Sequence, residues 1–273
     1  MTPSRCLHHL SWPDLRRQAR RQGSTALWPF GAIEQHGPHL PLATDALFAE
    51  AVCEAVLAAL PAELPIWRLP LQSLGFSAEH LGFPGTLSLP AEILIQLVVA
   101  VGGQLADAGF RRLVLLNAHG GQISALDVAA RELRRQHPSL AVFPCFLWRG
   151  PEGITSLIPE PERSQGLHAG LAETSLMLHL FPDLVRLSDL ALGRDLPEPP
   201  PGSPVTPPEG WSLEGDAPTS WRTLELSRDG IVGDPSGANA ELGAELLARL
   251  VEGWRSRLVA LLRSDWPSTD PQA

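Results

Sequence analysis

Short, wholly apolar runs alternate along this chain with longer amphipathic ones. Ala26, Leu27, Trp28, Phe30, Ala32 and Ile33 form one apolar run, interrupted by Pro29 and Gly31, and read as a buried strand. Leu64–Gln72, Arg111–Leu116 (RRLVLL) and Leu140–Trp148 read as three more. Runs this compact, with no polar alternation, belong in the middle of a parallel sheet covered on both faces. The segments between them carry helical patterns and helix signals. Ser11 caps a helix that Pro13 and Asp14 favour and Gly23 ends, so it reaches about Gln22. Thr44 is placed to cap a second helix, about Asp45–Leu60, which Pro61 closes. Further helices are expected from Pro90 to about Gly109, over about 122–137, from the His168–Ser175 segment onward with Leu176, Met177, Leu180 and Phe181 as its apolar face, and over about 236–264. Strand–helix alternation of this kind predicts an α/β fold with a mostly parallel sheet.

The remaining segments are turns, loops and connections. Residues 73–90 (SLGFSAEHLGFPGTLSLP) form a long Gly- and Ser-rich loop with Ser77, Glu79 and His80 at its centre. Residues 150–167 form a polar connection. The stretch 193–220 contains PEPPPGSPVTPPEG, so its 195–210 part is an extended proline-rich loop that excludes helix and central strand. Residues 265–273 are expected to fray. No internal repeat is visible, and the whole of 1–273 is read as one domain.

Composition narrows the function classes. A formal net charge of −9 argues against a nucleic-acid or anionic-membrane partner. The four arginines Arg16, Arg17, Arg20 and Arg21 make a local basic face that is read as solvated. Three cysteines, Cys6, Cys53 and Cys145, are widely spaced without a CxxC pair. That usage fits a reduced, cytoplasmic protein. No uninterrupted apolar run reaches membrane-spanning length, and the first residues lack the apolar core of a secretory signal.

The chemistry concentrates where strands end. Leu27–Asp45 runs from the first strand into Glu34, His36, His39 and Asp45, four ligand-type residues within twelve positions. Residues two apart in extended chain point to the same side, so Glu34 and His36 project together. Gly37, Pro38 and Pro41 fix a turn that can return Asp45 toward them. One Glu, one His and one Asp converging in this way can hold a divalent cation such as Zn, Mn or Fe. His119, in Asn117-Ala-His-Gly-Gly-Gln122, again follows a strand directly. Ligands in open parallel sheets sit beyond the carboxyl ends of the strands, so Glu34, His36 and His119 are expected to share one site. His168 and Glu173 lie near the start of their helix. His39, hemmed in by Pro38 and Pro41, is read as a neighbour of the ligands rather than one of them.

Five segments, in order, resemble the motifs of the creatininase (creatinine amidohydrolase) family: EQHGPHLPLATD, the Gly75–Leu89 loop, NAHGG, HAGxxETS from His168, and GIVGDPSGA. The resemblance is closer to the subgroup with HGG at the third motif, which includes the mycofactocin-maturation peptidase, than to creatininase proper. It implies a three-layer α/β/α sandwich and metal-dependent hydrolysis of a C–N amide bond in a small-molecule amide or short peptide. It also implies a homo-oligomer, often a hexamer, and about two divalent ions per subunit (Zn, Fe or Mn). Carried over by position, Glu34, His36, Asp45 and His119 are the metal ligands, with Asp45 bridging. Creatininases have a Glu at the position of Gly121, so Glu173 is expected to supply the missing carboxylate. His168 is the expected proton-transfer residue, with Glu173 beside it, and Ser77, Glu79 and His80 are expected to meet substrate. Creatininases also carry a catalytic Glu at the position of Leu167 and an aromatic residue at that of Gly120. Both are absent here, which argues against creatinine itself. The alternatives are creatinine hydrolysis proper and a metal-binding family member without catalysis.

Overall fold

The structure, a computed structural model, describes residues 5–193 and 207–267. Its centre is a four-stranded sheet in the order β2-β1-β3-β4, with every adjacent pair parallel: β1 (Thr25–Phe30), β2 (Ile66–Arg68), β3 (Arg112–Asn117) and β4 (Ala141–Phe146). All six residues of β1 and all six of β3 are buried. Their side chains alternate between two separate cores. Leu27, Val114 and Leu116 face one; Ala26, Trp28, Phe30, Leu113 and Leu115 face the other.

Each core is closed by helices. α2 (Thr44–Ala59) covers the first face, together with the later helices α7 and α10. α1 (Trp12–Ala19), α3 (Ala91–Ala108) and α4 (Ile123–Gln136) cover the second. The chain then passes through two short helices, α5 (Ile154–Leu157) and α6 (Glu162–Gln165), to α7 (Leu171–Leu180). After α8 (Leu190–Gly193) and α9 (Thr223–Leu226) it ends in α10 (Ala240–Arg263), which packs along α7 and α2. The result is the three-layer α/β/α sandwich.

The topology itself places the site. From β1 the chain crosses to β2 on one side and returns to β3 on the other, so the carboxyl ends of β1 and β3 flank the switch point where such sheets bind ligands. Gly31 brings α2 close to this point. A Cβ there would lie 2.5 Å from Ala46 Cα, so only glycine lets the start of α2 approach the end of β1.

Several boundaries differ from the sequence reading. Thr44 is the first residue of α2 rather than its cap, because its hydroxyl turns back to donate to Pro41 O. β2 has three regular residues instead of the whole of Leu64–Gln72. Pro65 and Pro70 interrupt the donors, although Leu69 N and Gln72 N still bond to β1. α1 ends at Ala19, three residues early. α10 begins at Ala240, where Asn239 caps it by accepting from Leu242 N, and Pro235–Gly237 forms a 3₁₀ turn before it. The 150–167 connection holds α5 and α6.

The start of the tail is held rather than frayed. Buried Arg112 donates from Nε to Trp266 O and from NH2 to Ser264 O, both at 2.6 Å, and Trp266 meets Phe143 edge-on. Residues 268–273, and 194–206 with most of the proline-rich loop, lie outside the described residues. α3 is long and apolar enough to cross a membrane by length and composition, which corrects the expectation that nothing is. It is packed against α4, with Leu94, Val98 and Leu105 in the core and Ile93 on the outer face 46 % exposed.

Candidate metal centre

Local rules at four chain segments bring the acidic and histidine side chains together. β1 delivers Glu34 and His36 just beyond its end. The first turn of α2 delivers Asp45, and β3 delivers His119. Asn117 steadies the third segment: its Oδ1 accepts from His119 N at 3.0 Å and its Nδ2 donates to His119 O at 2.6 Å. In the fourth segment Ala169 adopts a left-handed conformation (φ 54), costly for a residue with a Cβ. That turn lets His168 and Glu173 face the same site from either side of it. Glu173 Oε2 accepts from Ala169 N at 2.7 Å, so the carboxylate also stabilises the turn that positions it.

The donors fall into two triads that share a carboxylate. Glu34, Asp45 and His119 form one, and His36, Asp45 and Glu173 the other, each with ligand atoms within 4.8 Å of one another. His119 Nδ1 lies 3.2 Å from both Glu34 Oε2 and Asp45 Oδ2. His36 Nε2 lies 3.4 Å from Asp45 Oδ1. The structure thus brings all five sequence-predicted ligands into one cluster. Among the described residues Glu34 Oε1, His36 Nε2 and Asp45 Oδ2 are buried without a hydrogen-bond partner. Orphaned buried polar atoms of this kind are costly unless something else satisfies them. Oxygen and imidazole donors in two triads fit divalent cations of the Zn, Mn or Fe type.

The electrostatics point the same way. Burial raises the Glu34 carboxyl to about 8, against the pull of His119. Burial also raises Glu173, to about 7, with His36 opposing. Burial would lower His36, but Asp45 outweighs it and holds the imidazole up at about 9. His119 is likewise raised, because Glu34 and Asp45 overcome its burial. Asp45, between the two imidazoles, is driven far down despite burial.

Around these two triads stand residues that also enter further donor groups with Glu34: His168 together with His36, and Glu79 together with His80. His36, His168 and His80 stack in a column, with ring centroids 4.2 and 4.0 Å apart. His168 Nε2 donates to Gln35 O at 2.7 Å, which leaves Nδ1 facing Glu34 Oε1 at 3.8 Å. Burial and the neighbouring His36 and His80 keep His168 well below the ordinary histidine value. His80 is lowered to about 3, chiefly by burial. Its Nδ1 accepts from Gln35 Nε2 and sits against Thr223 Oγ1, both at 2.8 Å. Ser77 is fully buried and donates to Glu34 Oε2. Glu79 retains 14 % side-chain exposure and places Oε1 3.1 Å from His119 Nε2. Burial pushes its carboxyl up, but His119 more than offsets this and the net shift is down. His39 stays outside the triads, with Nε2 paired to Thr174 Oγ1 at 2.8 Å.

The sequence reading missed Gln35. This residue clamps both histidines, and its Oε1 accepts from Gly37 N at 2.9 Å. It sits inside EQH, and an amide between two ligands was the available signal. Thr174 and Thr223, which hold His39 and His80, had no signal beyond lying near motifs. A second histidine–cysteine group, Cys6, His8 and His9, lies at the far end of the described chain.

Comparison with known proteins agrees with this geometry. Residues 8–258 match the creatininase family, described as creatinine amidohydrolase. The chain is 33 % identical over 259 residues to the mycofactocin precursor peptide peptidase of Mycolicibacterium smegmatis, covering 92 % of each. It is 34 % identical over 197 residues to the creatinine amidohydrolase of Pseudomonas putida, covering 68 % of this chain and 76 % of that one. A solved structure named Creatininase Mn superposes with a TM-score of 0.72 at 27 % identity, covering 96 % of this chain and all of its own. With the family match over residues 8–258 and a 33 % identical relative covering 92 % of each chain, the chain belongs to the creatininase family of amidohydrolases.

Proposed function

We propose that this protein hydrolyses an amide bond in a short peptide, using two divalent cations held by Glu34, His36, Asp45, His119 and Glu173. The observation that carries the reading is the sharing of Asp45 between two buried donor triads whose free atoms have no other partner. Bound there, such cations supply an acidified water and a polarised substrate carbonyl. The chain's own residues supply the rest. His168 keeps its Nε2 proton on Gln35 O, so Nδ1 is the atom that accepts a proton from the attacking water and returns it to the leaving nitrogen. Glu173 is the carboxylate that orients this turn. Of Ser77, Glu79 and His80, Glu79 keeps the most exposure and Ser77 and His80 stand behind it, so substrate reaches the site past Glu79.

The peptide reading is supported by the relative named for a peptidase, which matches 92 % of this chain. It is also supported by the departures at Gly120, Gly121 and Leu167 from the pattern of creatininase proper. Space is open above Gly120, where no atom lies within 4 Å of a built Cβ, so an extended chain has room that a tight aromatic wall would remove. Creatinine hydrolysis is the second reading, favoured by the Pseudomonas putida relative. A non-catalytic metal-binding role is disfavoured by the free Nδ1 of His168. The domain is one unit over 1–273, and three widely spaced cysteines without a CxxC pair support a cytoplasmic location. It assembles as a homo-oligomer, hexameric in the family manner.

The test combines elemental analysis with turnover of a panel of short peptides, formamides and creatinine, followed by mass spectrometry. About two divalent ions per chain and chelator-sensitive cleavage of a peptide are expected. Turnover of creatinine alone overturns the peptide assignment, and metal-replete protein inert on the whole panel overturns the hydrolytic one.

A further inference from the structure

Gly121 lies two residues after His119, with space beside it that is already taken. A Cβ built there would lie 1.7 Å from Glu79 Oε1 and 2.7 Å from His119 Nε2. A side chain at 121 would displace the Glu79 carboxylate, so glycine here leaves Glu79 free to reach His119. Glu79 comes from the separate 73–90 loop, whose position is fixed independently. Ser77 from the same loop donates to Glu34, Phe76 N donates to Gln122 Oε1 at 3.2 Å, and Thr223 Oγ1 donates to Glu79 O at 3.1 Å.

We propose that Glu79 is a positioning residue for His119: its carboxylate accepts from Nε2 and fixes the ring with Nδ1 turned to Glu34 and Asp45. The inference rests on the metal-centre reading above and adds a residue to it. The geometry carries it from both edges of one ring. Nδ1 faces Glu34 Oε2 and Asp45 Oδ2 at 3.2 Å. The opposite nitrogen faces Glu79 Oε1 at 3.1 Å and Phe76 O at 3.0 Å. A neutral imidazole has one donor and one acceptor nitrogen, so acceptors on Nε2 hold the proton there and reserve the Nδ1 lone pair for a cation. The Phe76 carbonyl sets the tautomer. The charged Glu79 oxygen adds basicity to the liganding nitrogen, as an anionic partner behind a metal-bound histidine does. The second glycine of the HGG motif is thereby explained by what it leaves room for.

The decisive variant is Glu79→Gln, which keeps size and an acceptor oxygen but removes the charge; Glu79→Ala is the parallel variant should the glutamine rotate. Zn²⁺ dissociation constants are measured on the full chain by chelator competition, and Co²⁺-loaded protein is compared by visible absorption. Both variants are expected to weaken one of the two ions by about 10- to 100-fold. The second ion should be unchanged, and the Co²⁺ ligand-field bands should shift. Unfolding in chelator should match the wild type, which a merely structural defect would not allow. Unchanged affinity and an unchanged Co²⁺ spectrum in both variants overturn the proposal. Loss of one whole ion at saturating metal also overturns it, by making Glu79 a ligand. Wild-type protein that holds no cation overturns the metal-centre reading first, so the two failures are distinguishable.

Discussion

Asp45→Asn is the sharpest perturbation of the centre, because Asp45 alone belongs to both triads. Its Oδ1 faces His36 Nε2 at 3.4 Å and its Oδ2 faces His119 Nδ1 at 3.2 Å. Asparagine keeps the shape but loses the charge, and its NH₂ group presents a donor where an acceptor is required. A cation present at a thousand times its dissociation constant stabilises the folded chain by about 4 kcal/mol per site. For a chain of this size each kcal/mol moves Tm by roughly 2–4 °C. Two ions therefore raise the wild-type Tm by roughly 16–32 °C over chelator-treated protein, taking both sites as independent. Asp45→Asn should abolish the whole increment. His119→Ala and Glu173→Gln each touch one triad and should leave about half of it, with one ion per chain instead of two. The assay is differential scanning calorimetry with and without metal, paired with elemental analysis of the same samples. Reporting each variant as a difference between its own loaded and stripped forms removes any effect on the metal-free fold. If Asp45→Asn retains one tightly bound ion and half the increment, Asp45 is not shared and the two-triad reasoning fails.

Two further outcomes probe groups beside the centre. Burial, followed by the neighbouring His36, lowers His39 to about 4 in the folded chain, below the ordinary value of 6.5. The unfolded state therefore binds the extra proton first as pH falls. Stability is full above about pH 6.5 and is lost progressively down to about pH 4, by about 3 kcal/mol in all. Urea unfolding of stripped protein across that window should show a slope to which buried His80 and His168 also contribute, and His39→Asn should lessen it by one group's share; an equal slope in both would place the linkage elsewhere. Arg112→Met should cost about 3–6 kcal/mol, because two short bonds from a buried guanidinium to Ser264 O and Trp266 O are lost together. Denaturant titration reads this directly, and a cost below about 1 kcal/mol would mean that the tail is not anchored through Arg112.

The fold was legible where side-chain burial dictates it. The RRLVLL run could only be a central strand, and Glu34, His36 and His119 inherited their common location from lying at strand ends. Thr44 was misplaced because a hydroxyl can cap a helix or turn back on the preceding carbonyl, and the choice depends on the tight approach at Gly31. β2 was overextended because Pro65 and Pro70 remove donors without altering the apolar pattern. The membrane estimate for α3 failed for a related reason. Counting an uninterrupted run penalises Glu92 and the glutamines, whereas the mean hydropathy of the whole helix stays high although Glu92, Gln96, Gln104 and Asp107 are exposed.

What the sequence could not convey is how distant segments meet. At the level of residue types, Gly121 registers as an absence, since it stands where a carboxylate would complete the pattern of creatininase proper. In three dimensions the same glycine is a vacancy filled by Glu79 from another loop, while Glu173 reaches the second triad from α7. Carboxylates thus reach this cluster from the 73–90 loop and from α7, segments far apart in the chain. Gln35 shows the converse. It lies within the most recognisable motif, yet its work is done on His80 and His168, which are remote in sequence and adjacent only after folding. Glu34, His36 and His119 lie just beyond strand ends and so leave a local pattern, while Asp45 and Glu173 come from the first turns of α2 and α7. Residues that hold the ligands need only a hydrogen-bond partner within reach, and that reach is set by tertiary packing.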